Sequence, residues 1–294
     1  MNVAPSLRQR RLVPAALLIA LSAASLTACA QDPAADDASD DATPPPAAVV
    51  DPDAEPDYPA GSADARAREA IREIAPQLRV DKIAAAPMPG FRQVIVGGQV
   101  VYVSDDGKYL LQGTLLDVAG REDLNEVAMS GLRSDLLETV PESDRIVFSP
   151  EDPEYTVSVF TDVDCGYCRK LHGEMDEYHA RGIAIEYLAF PRMGPGSENF
   201  DEMVAVWCAE DPRAALTDAK AGGTIRGDCT SPVATQYALG QRLGLTGTPM
   251  IIGPDGSQFG GYVPARQLRQ MLDKRLGQDD PESAAGTEAE TTGG

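Results

Sequence analysis

The sequence predicts an α/β protein with two folded parts, a small α+β unit and then a larger unit with a mixed sheet. Three observations carry that reading. Residues 91–96 and 99–103 are apolar runs flanking Gly97-Gly98, a two-residue hairpin signal. Beyond about residue 144, short apolar strands alternate with helical stretches, the pattern of a sheet covered by helices. Where the strand at 155–160 gives way to a helix stands Cys165-Gly166-Tyr167-Cys168.

Arg8, Arg10 and Arg11 precede an apolar run at 12–26, which is short for a membrane span and is followed by small residues. Residues 1–29 therefore read as a signal peptide, with two processing sites in competition. Ala28-Cys29-Ala30 fits a small-residue cleavage pattern that would discard Cys29. Leu26-Thr27-Ala28-Cys29 resembles the bacterial lipobox, in which Cys29 is acylated and becomes the first mature residue. The lipobox fixes more positions and is the preferred reading. Either way the chain is exported to an oxidising compartment, where thiols pair or do chemistry.

Residues 30–62 are rich in Ala, Pro and Asp, with no base before Arg66. Such a segment buries too little apolar surface to offset its ordering entropy, so a disordered acidic linker is expected. It would span roughly 30 Å and, with a lipid on Cys29, would tether the folded body away from a membrane. Residues 277–294 read as a second disordered acidic tail, with no function assigned.

The first folded unit covers 63–120. A helix at 65–74, capped by Ser62 or Asp64, stops near Pro76. The hairpin follows, and Asp105-Asp106-Gly107 turns the chain into a third strand at 108–116. One helix on three strands is a thin core, and units of this size are often marginal alone. An apolar edge strand is usually covered or paired, so self-association is expected; the alternative is an edge covered within the same chain. Residues 121–143 form a linker, where Leu124, Val127, Ala128, Leu132, Leu136 and Leu137 recur at helical spacing.

The second unit, 144–276, begins with the strand at 155–160 and the cysteine-bearing helix. A strand at 182–190, helices at 198–221 and 231–243, a strand at 250–252, a short strand near Phe259 and a closing helix at 265–275 complete it.

The net charge of −21 argues against nucleic acid, and against docking on anionic lipid by charge alone. No second long apolar run suggests a multi-span membrane protein. Of the five cysteines, Cys29 leaves with the signal or carries the lipid, Cys165 and Cys168 form a close pair, and Cys208 and Cys229 remain.

Residues i and i+3 in a first helical turn lie about 5 to 6 Å apart, within the range a disulfide bridges. Cys165, at the helix start, faces unpaired N–H groups and the positive end of the dipole, and both favour the attacking thiolate. Cys168, a turn deeper, reads as the less exposed resolving thiol. Asp162 and Asp164 add negative charge, so a moderately lowered Cys165 pKa is expected, suited to exchange. Alternative chemistries are weaker. A structural disulfide here would close a tiny loop. Zinc would need four ligands, and only His172 and His179 could join the pair. No G-x-S-x-G elbow supports a serine hydrolase.

The segment 160–168, with Lys170-Leu171-His172, 187–192, Trp207-Cys208-Ala209, 237–240 and Gly247-Thr248-Pro249, resembles the periplasmic disulfide isomerases of the DsbC/DsbG family, DsbC more closely. Asp105-Asp106-Gly107-Lys108 and Gln112-Gly113 extend the resemblance, which covers about 64–275. The lipobox, the long linker and Asp164, where threonine is common, depart from it.

The resemblance implies a thioredoxin-like catalytic domain with a helical insertion, preceded by a small α+β cystatin-like dimerisation domain. It implies a V-shaped homodimer with an apolar cleft. Cys165 would be the nucleophile and Cys168 the resolving thiol, with no cofactor and no metal. Gly166, Tyr167, Thr248 and Pro249 would contact substrate, with Thr248-Pro249 cis; an ordinary trans proline is the alternative. Cys208 and Cys229 would form a second, non-catalytic disulfide contributing roughly 3 kcal/mol, two buried free thiols being the alternative. Implied partners are misfolded exported proteins with wrong disulfides and a membrane reductase resembling DsbD as electron donor, in the periplasm. A net oxidase and a chaperone with incidental thiols are the competing functions. Ala30 after Cys29 points to the outer membrane by analogy with lipoprotein sorting. Trp207 reads as core, His172 as a solvated helix residue and Arg192 as surface.

Overall fold

The computed structural model describes residues 55–277. The signal segment, Cys29, most of the acidic linker and the C-terminal tail lie outside the described residues.

The N-terminal unit opens with α1, Ala63–Ile74, whose start is fixed by Ser62: its hydroxyl accepts from the Ala65 N–H at 3.0 Å. Four antiparallel strands follow in spatial order, β1 Val80–Ala85, β2 Phe91–Val96, β3 Gln99–Ser104 and β4 Leu110–Gln112. Gly97 and Gly98 turn the β2–β3 hairpin at φ +56° and +71°, the left-handed geometry that a two-residue turn requires. Contacts begin ahead of residue 63: Tyr58 packs on this core and Glu55 pairs with Arg72 at 2.7 Å.

Two expectations for this unit change. β1 adds a strand that the sequence pattern hides, because Asp81 and Lys82 interrupt its apolar run; a register shift between Val80 and Lys82 accommodates them, and Asp81 turns inward to pair with Arg242. The single strand expected at 108–116 ends at Gln112. There the Asn125 side chain takes over the backbone, donating to Gly113 O at 2.9 Å and accepting from Leu115 N–H at 3.1 Å. The chain then forms a small ribbon, β5 Leu116–Asp117 with β6 Glu122–Asp123.

Period-two alternation sends the two faces of the N-terminal sheet to different cores. Val94, Val96, Val101 and Val103 pack with Ala67 and Ile71 of α1. Ile95, Val100 and Tyr102 turn the other way, towards α2, Leu124–Glu138, whose N-terminus is capped by Asp123.

The second sheet runs in the order β10-β8-β9-β7, from β7 Ile146–Phe148, β8 Tyr155–Thr161, β9 Ile183–Ala189 and β10 Met250–Ile252. β8 and β9 are parallel, whereas β7 and β10 are antiparallel to their neighbours. The crossover between β8 and β9 carries α3, Gly166–Gly173, and α4, Met175–His179. After β9 come α5 Glu198–Trp207, α6 Pro212–Lys220 and α7 Val233–Arg242, and α8 Ala265–Leu276 closes the unit. The helical stretch expected at 198–221 is thus two helices, because Asp211 caps a new start with Pro212 in its first turn. The short strand expected near Phe259 reduces to a bridge between Ile252 and Gln258.

Alternation again divides the residues. Val157, Val159, Ile183, Ile185, Tyr187 and Ile251 face the core with Leu171, Tyr178, Leu268 and Leu272. Phe160, Leu188, Met250 and Ile252 face α2 and the Ile95–Val100–Tyr102 side of the first sheet, so one apolar cluster joins the two units. The buried Arg133 of α2 reinforces that seat, donating to Gly256 O at 3.1 Å and to Gln258 Oε1 at 3.2 Å. Gly256, at φ +77°, lies so close to Ser130 that a Cβ there would sit 2.0 Å from its carbonyl oxygen. Among the described residues, no helix is long and apolar enough to cross a membrane.

Candidate active site

The site forms at the carboxyl end of β8, where residues 162–165 leave the sheet and α3 begins. Cys165 is the N-cap of α3, at φ −80° and ψ 120°, and its Sγ lies 3.4 Å from the Cys168 backbone N–H. A sulfur thus occupies the place a serine or aspartate usually takes at a helix start. Cys165 and Cys168 are free thiols, 4% and 1% exposed. The Cys165 Sγ also lies 3.2 Å from Thr248 O, so the loop before β10 forms the second wall of the site, and the Thr248-Pro249 peptide there is cis.

The two thiols are driven apart in acidity. The Cys165 pKa is lowered, chiefly because Cys168 donates a hydrogen bond to its sulfur; burial opposes, and Thr248, the Cys168 N–H and the Arg192 charge assist. Burial raises the Cys168 thiol far above its ordinary value, and the hydrogen bond to Cys165 raises it further. The arrangement holds one nucleophilic sulfur and one protonated sulfur within a single helical turn.

The acids expected to oppose the Cys165 thiolate are engaged elsewhere. Asp162 is fully buried, and its carboxylate accepts from Asp164 N–H at 2.7 Å, Asn199 Nδ2 at 2.9 Å, and Arg192 through N–H at 3.0 Å and Nε at 2.8 Å. Asp164 accepts from Asn199 at 2.9 Å and Arg169 at 3.3 Å. Arg192 is therefore not a plain surface residue: its charge offsets Asp162 and favours the Cys165 thiolate.

His172 also differs from expectation. It is buried, not solvated, with Nδ1 3.3 Å from Tyr187 Oη, Nε2 3.0 Å from Thr217 Oγ1, and Phe148 edge-on at 5.0 Å. Burial, followed by the Lys220 charge, lowers its pKa to about 4, so the ring is neutral. Lys220 is buried on the same side. No local pattern marks it, because its neighbours come from β8 and β9.

Tyr167 is 64% exposed and stacks on Tyr262, with ring centroids 6.0 Å apart. Lys170 Nζ lies 4.5 Å above the Tyr262 ring, and the Tyr262 hydroxyl donates to Glu174 at 2.6 Å. A Cβ added to Gly166 would meet nothing within 4 Å, so the rim beside Cys165 is open. Away from the site, Cys208 and Cys229 form a disulfide with Cα atoms 5.8 Å apart, tying the end of α5 to the segment before α7. Trp207 packs against the core and donates to Asp144 O at 2.9 Å. Among the described residues, no cluster of three or more His, Cys, Asp or Glu side chains could hold a metal ion.

Known families and proteins resemble this chain over most of the described residues. Residues 143–276 match the thioredoxin-like domain family, and residues 45–126 match the N-terminal domain family of disulfide bond isomerase proteins. The chain is 39% identical over 212 residues to the thiol:disulfide interchange protein DsbC of Salmonella typhimurium strain LT2, covering 72% of this chain and 87% of that one. It is 38% identical over 198 residues to the protein of the same name from Escherichia coli strain K12, covering 67% and 83%. A crystal structure of a disulfide interchange protein from Neisseria gonorrhoeae aligns with a TM-score of 0.40 at 28% identity, covering 46% of this chain and 97% of that one.

Proposed function

This chain belongs to the DsbC family of thiol:disulfide interchange proteins, and on that premise we propose that it rearranges wrong disulfides in exported proteins through Cys165 and Cys168. The observation that carries the reading is the asymmetry of the pair: Cys165 caps a helix and is favoured as thiolate, whereas Cys168 is buried deeper and protonated. The Cys165 thiolate attacks one sulfur of a substrate disulfide. That S–S bond breaks, the other substrate sulfur leaves as a thiolate, and a mixed disulfide forms. A different substrate thiolate then attacks the mixed disulfide, making a new pairing and restoring the Cys165 thiolate; no net electrons move.

On a second route Cys168 attacks Cys165, the substrate leaves reduced, and the site is left as a Cys165–Cys168 disulfide. Each such event consumes two electrons, and a membrane reductase resembling DsbD is the donor. Thr248, whose carbonyl lies beside Cys165, offers main-chain pairing to an extended substrate segment, and Gly166, Tyr167 and Pro249 border the same opening. The protein acts as a homodimer through the N-terminal unit, where Tyr109, Leu110 and Leu111 are exposed on and beside the outer strand β4. It works in the periplasm, held by a lipid on Cys29.

Trapping tests the assignment. Incubated with a scrambled disulfide protein, the Cys168→Ala variant should accumulate a covalent adduct that dithiothreitol cleaves, and Cys165→Ala should form none. An adduct of equal yield on Cys165→Ala would remove Cys165 as the attacking group.

A further inference from the structure

Beneath the two thiols the structure buries a cation that packing does not require. Lys220, the last residue of α6, is 5% exposed. Its Nζ donates to Thr161 Oγ1 at 2.8 Å, approaches Asp162 O at 3.5 Å and lies 5.4 Å above the Tyr187 ring. Among the described residues, no carboxylate oxygen lies within 4.0 Å of it. Withdrawing an ammonium from water is costly, and the neighbouring Leu216 and Ala219 show that an apolar side chain would suit this helix end.

The charged and titratable groups around Lys220 leave its charge without a close counter-ion. Asp162 spends its carboxylate on Arg192, Asn199 and the Asp164 N–H. Asp164 is held by Arg169 and Asn199. His172 is neutral, and Tyr187 presents its ring face. Arg169 adds a like charge from α3, and the remaining titratable groups are the thiols. The Asp162 main chain links the two: its carbonyl faces Lys220, and its backbone hydrogen bonds to the Cys168 sulfur.

We propose that Lys220 is a positioning residue whose buried charge lets Cys168 ionise, and so sets how fast a mixed disulfide on Cys165 is resolved. The inference rests on Cys165 being the attacking thiol. In the resolving step Cys168 loses its proton, its sulfur bonds to the Cys165 sulfur, and the Cys165–substrate bond breaks. The substrate leaves as a thiolate and takes up one proton from water, matching the one lost. Cys168 is too buried for water to stabilise its anion, and Lys220 is the largest charge acting in that direction. The influence is mutual: burial lowers the Lys220 pKa to about 8, the two thiolates and then Asp162 act to raise it, and Arg169 acts to lower it. Near neutral pH the side chain is thus mainly ammonium.

The test follows the reduced protein reacting with the chromogenic disulfide dithiobis-nitrobenzoate. Attack by Cys165 releases one thionitrobenzoate, and resolution by Cys168 releases a second. In Lys220→Met and Lys220→Gln the second phase should slow about tenfold near pH 7, with its rising rate–pH profile displaced upward by about one pH unit. Gln keeps a donor for Thr161, so a purely structural hydrogen bond would be rescued by it, whereas a missing charge would not. Thermal unfolding should show both variants as stable as the parent or more so, since a buried cation is removed. A second phase unchanged in both, or restored by Gln, overturns the proposal. In the parent protein the second phase should be nearly insensitive to salt, because buried charges are poorly screened; strong slowing by salt would place the responsible charge at the surface instead. Loss of a Cys165-dependent first phase would count against the functional reading itself, so the two failures are distinguishable.

Discussion

A cysteine at a helix N-cap exchanges the usual capping oxygen for a sulfur, and here the Cys168 thiol first, then Thr248 and the cap N–H, favour its anion. For Cys165 this predicts rapid alkylation by iodoacetamide at pH values where an ordinary thiol, with pKa about 8.5, is still protonated. The rate should fall as pH drops through the lowered Cys165 value, and peptide mass mapping should find Cys168 unmodified throughout that range. An alkylation midpoint at the ordinary thiol value would contradict the cap account. His172 supplies the opposite kind of residue-scale effect. Its folded pKa, about 4, lies below the ordinary 6.5, so between those values the unfolded chain binds a proton that the native ring refuses. Stability should therefore fall as pH drops from 6.5 towards 4, by on the order of 3 kcal/mol from this group. Urea titrations of the parent and His172→Gln should differ in slope across that window; equal slopes would show that the ring ionises in place. The thiol pair was legible because its logic is local: four residues and a helix start. The engagement of Asp162 was not, since Arg192 and Asn199 arrive from beyond β9 and turn an apparent repulsion into a neutral network.

At the scale of elements, local signals and tertiary contacts contributed unequally. The β2–β3 hairpin is written in Gly97-Gly98, and β8 and β9 in their β-branched apolar runs. β1 is not, because the inward-facing Asp81 is paired by Arg79 and by Arg242, which arrives from α7. Likewise β4 stops where it does because Asn125 of α2 captures Gly113 and Leu115. The Cys208–Cys229 bridge closes a loop with a sequence separation of 21. On chain entropy, replacing both cysteines by alanine should lower the unfolding free energy by about 3 kcal/mol. The same variant should keep the two-phase thiol kinetics of the parent, as the bridge lies off the α3 turn; lost kinetics in a folded variant would give it a share in the site.

For the whole molecule, the shared apolar cluster of Phe160, Leu188 and Ile252 with Ile95, Val100 and Tyr102 ties the N-terminal sheet to the catalytic unit, while β4 stays uncovered by the described residues. An edge exposing Leu110 and Leu111 beside Tyr109 predicts a dimer in solution and a monomer for Leu111→Lys, read by sedimentation equilibrium. A Leu111→Lys variant that remains dimeric would move the interface elsewhere. The measurement closest to the central claim is reactivation of scrambled, fully oxidised ribonuclease by protein lacking residues 1–29, beside its Cys165→Ala variant. The account predicts activity recovered with the parent and absent with Cys165→Ala; no reactivation by either, with a reductant supplied, would contradict it.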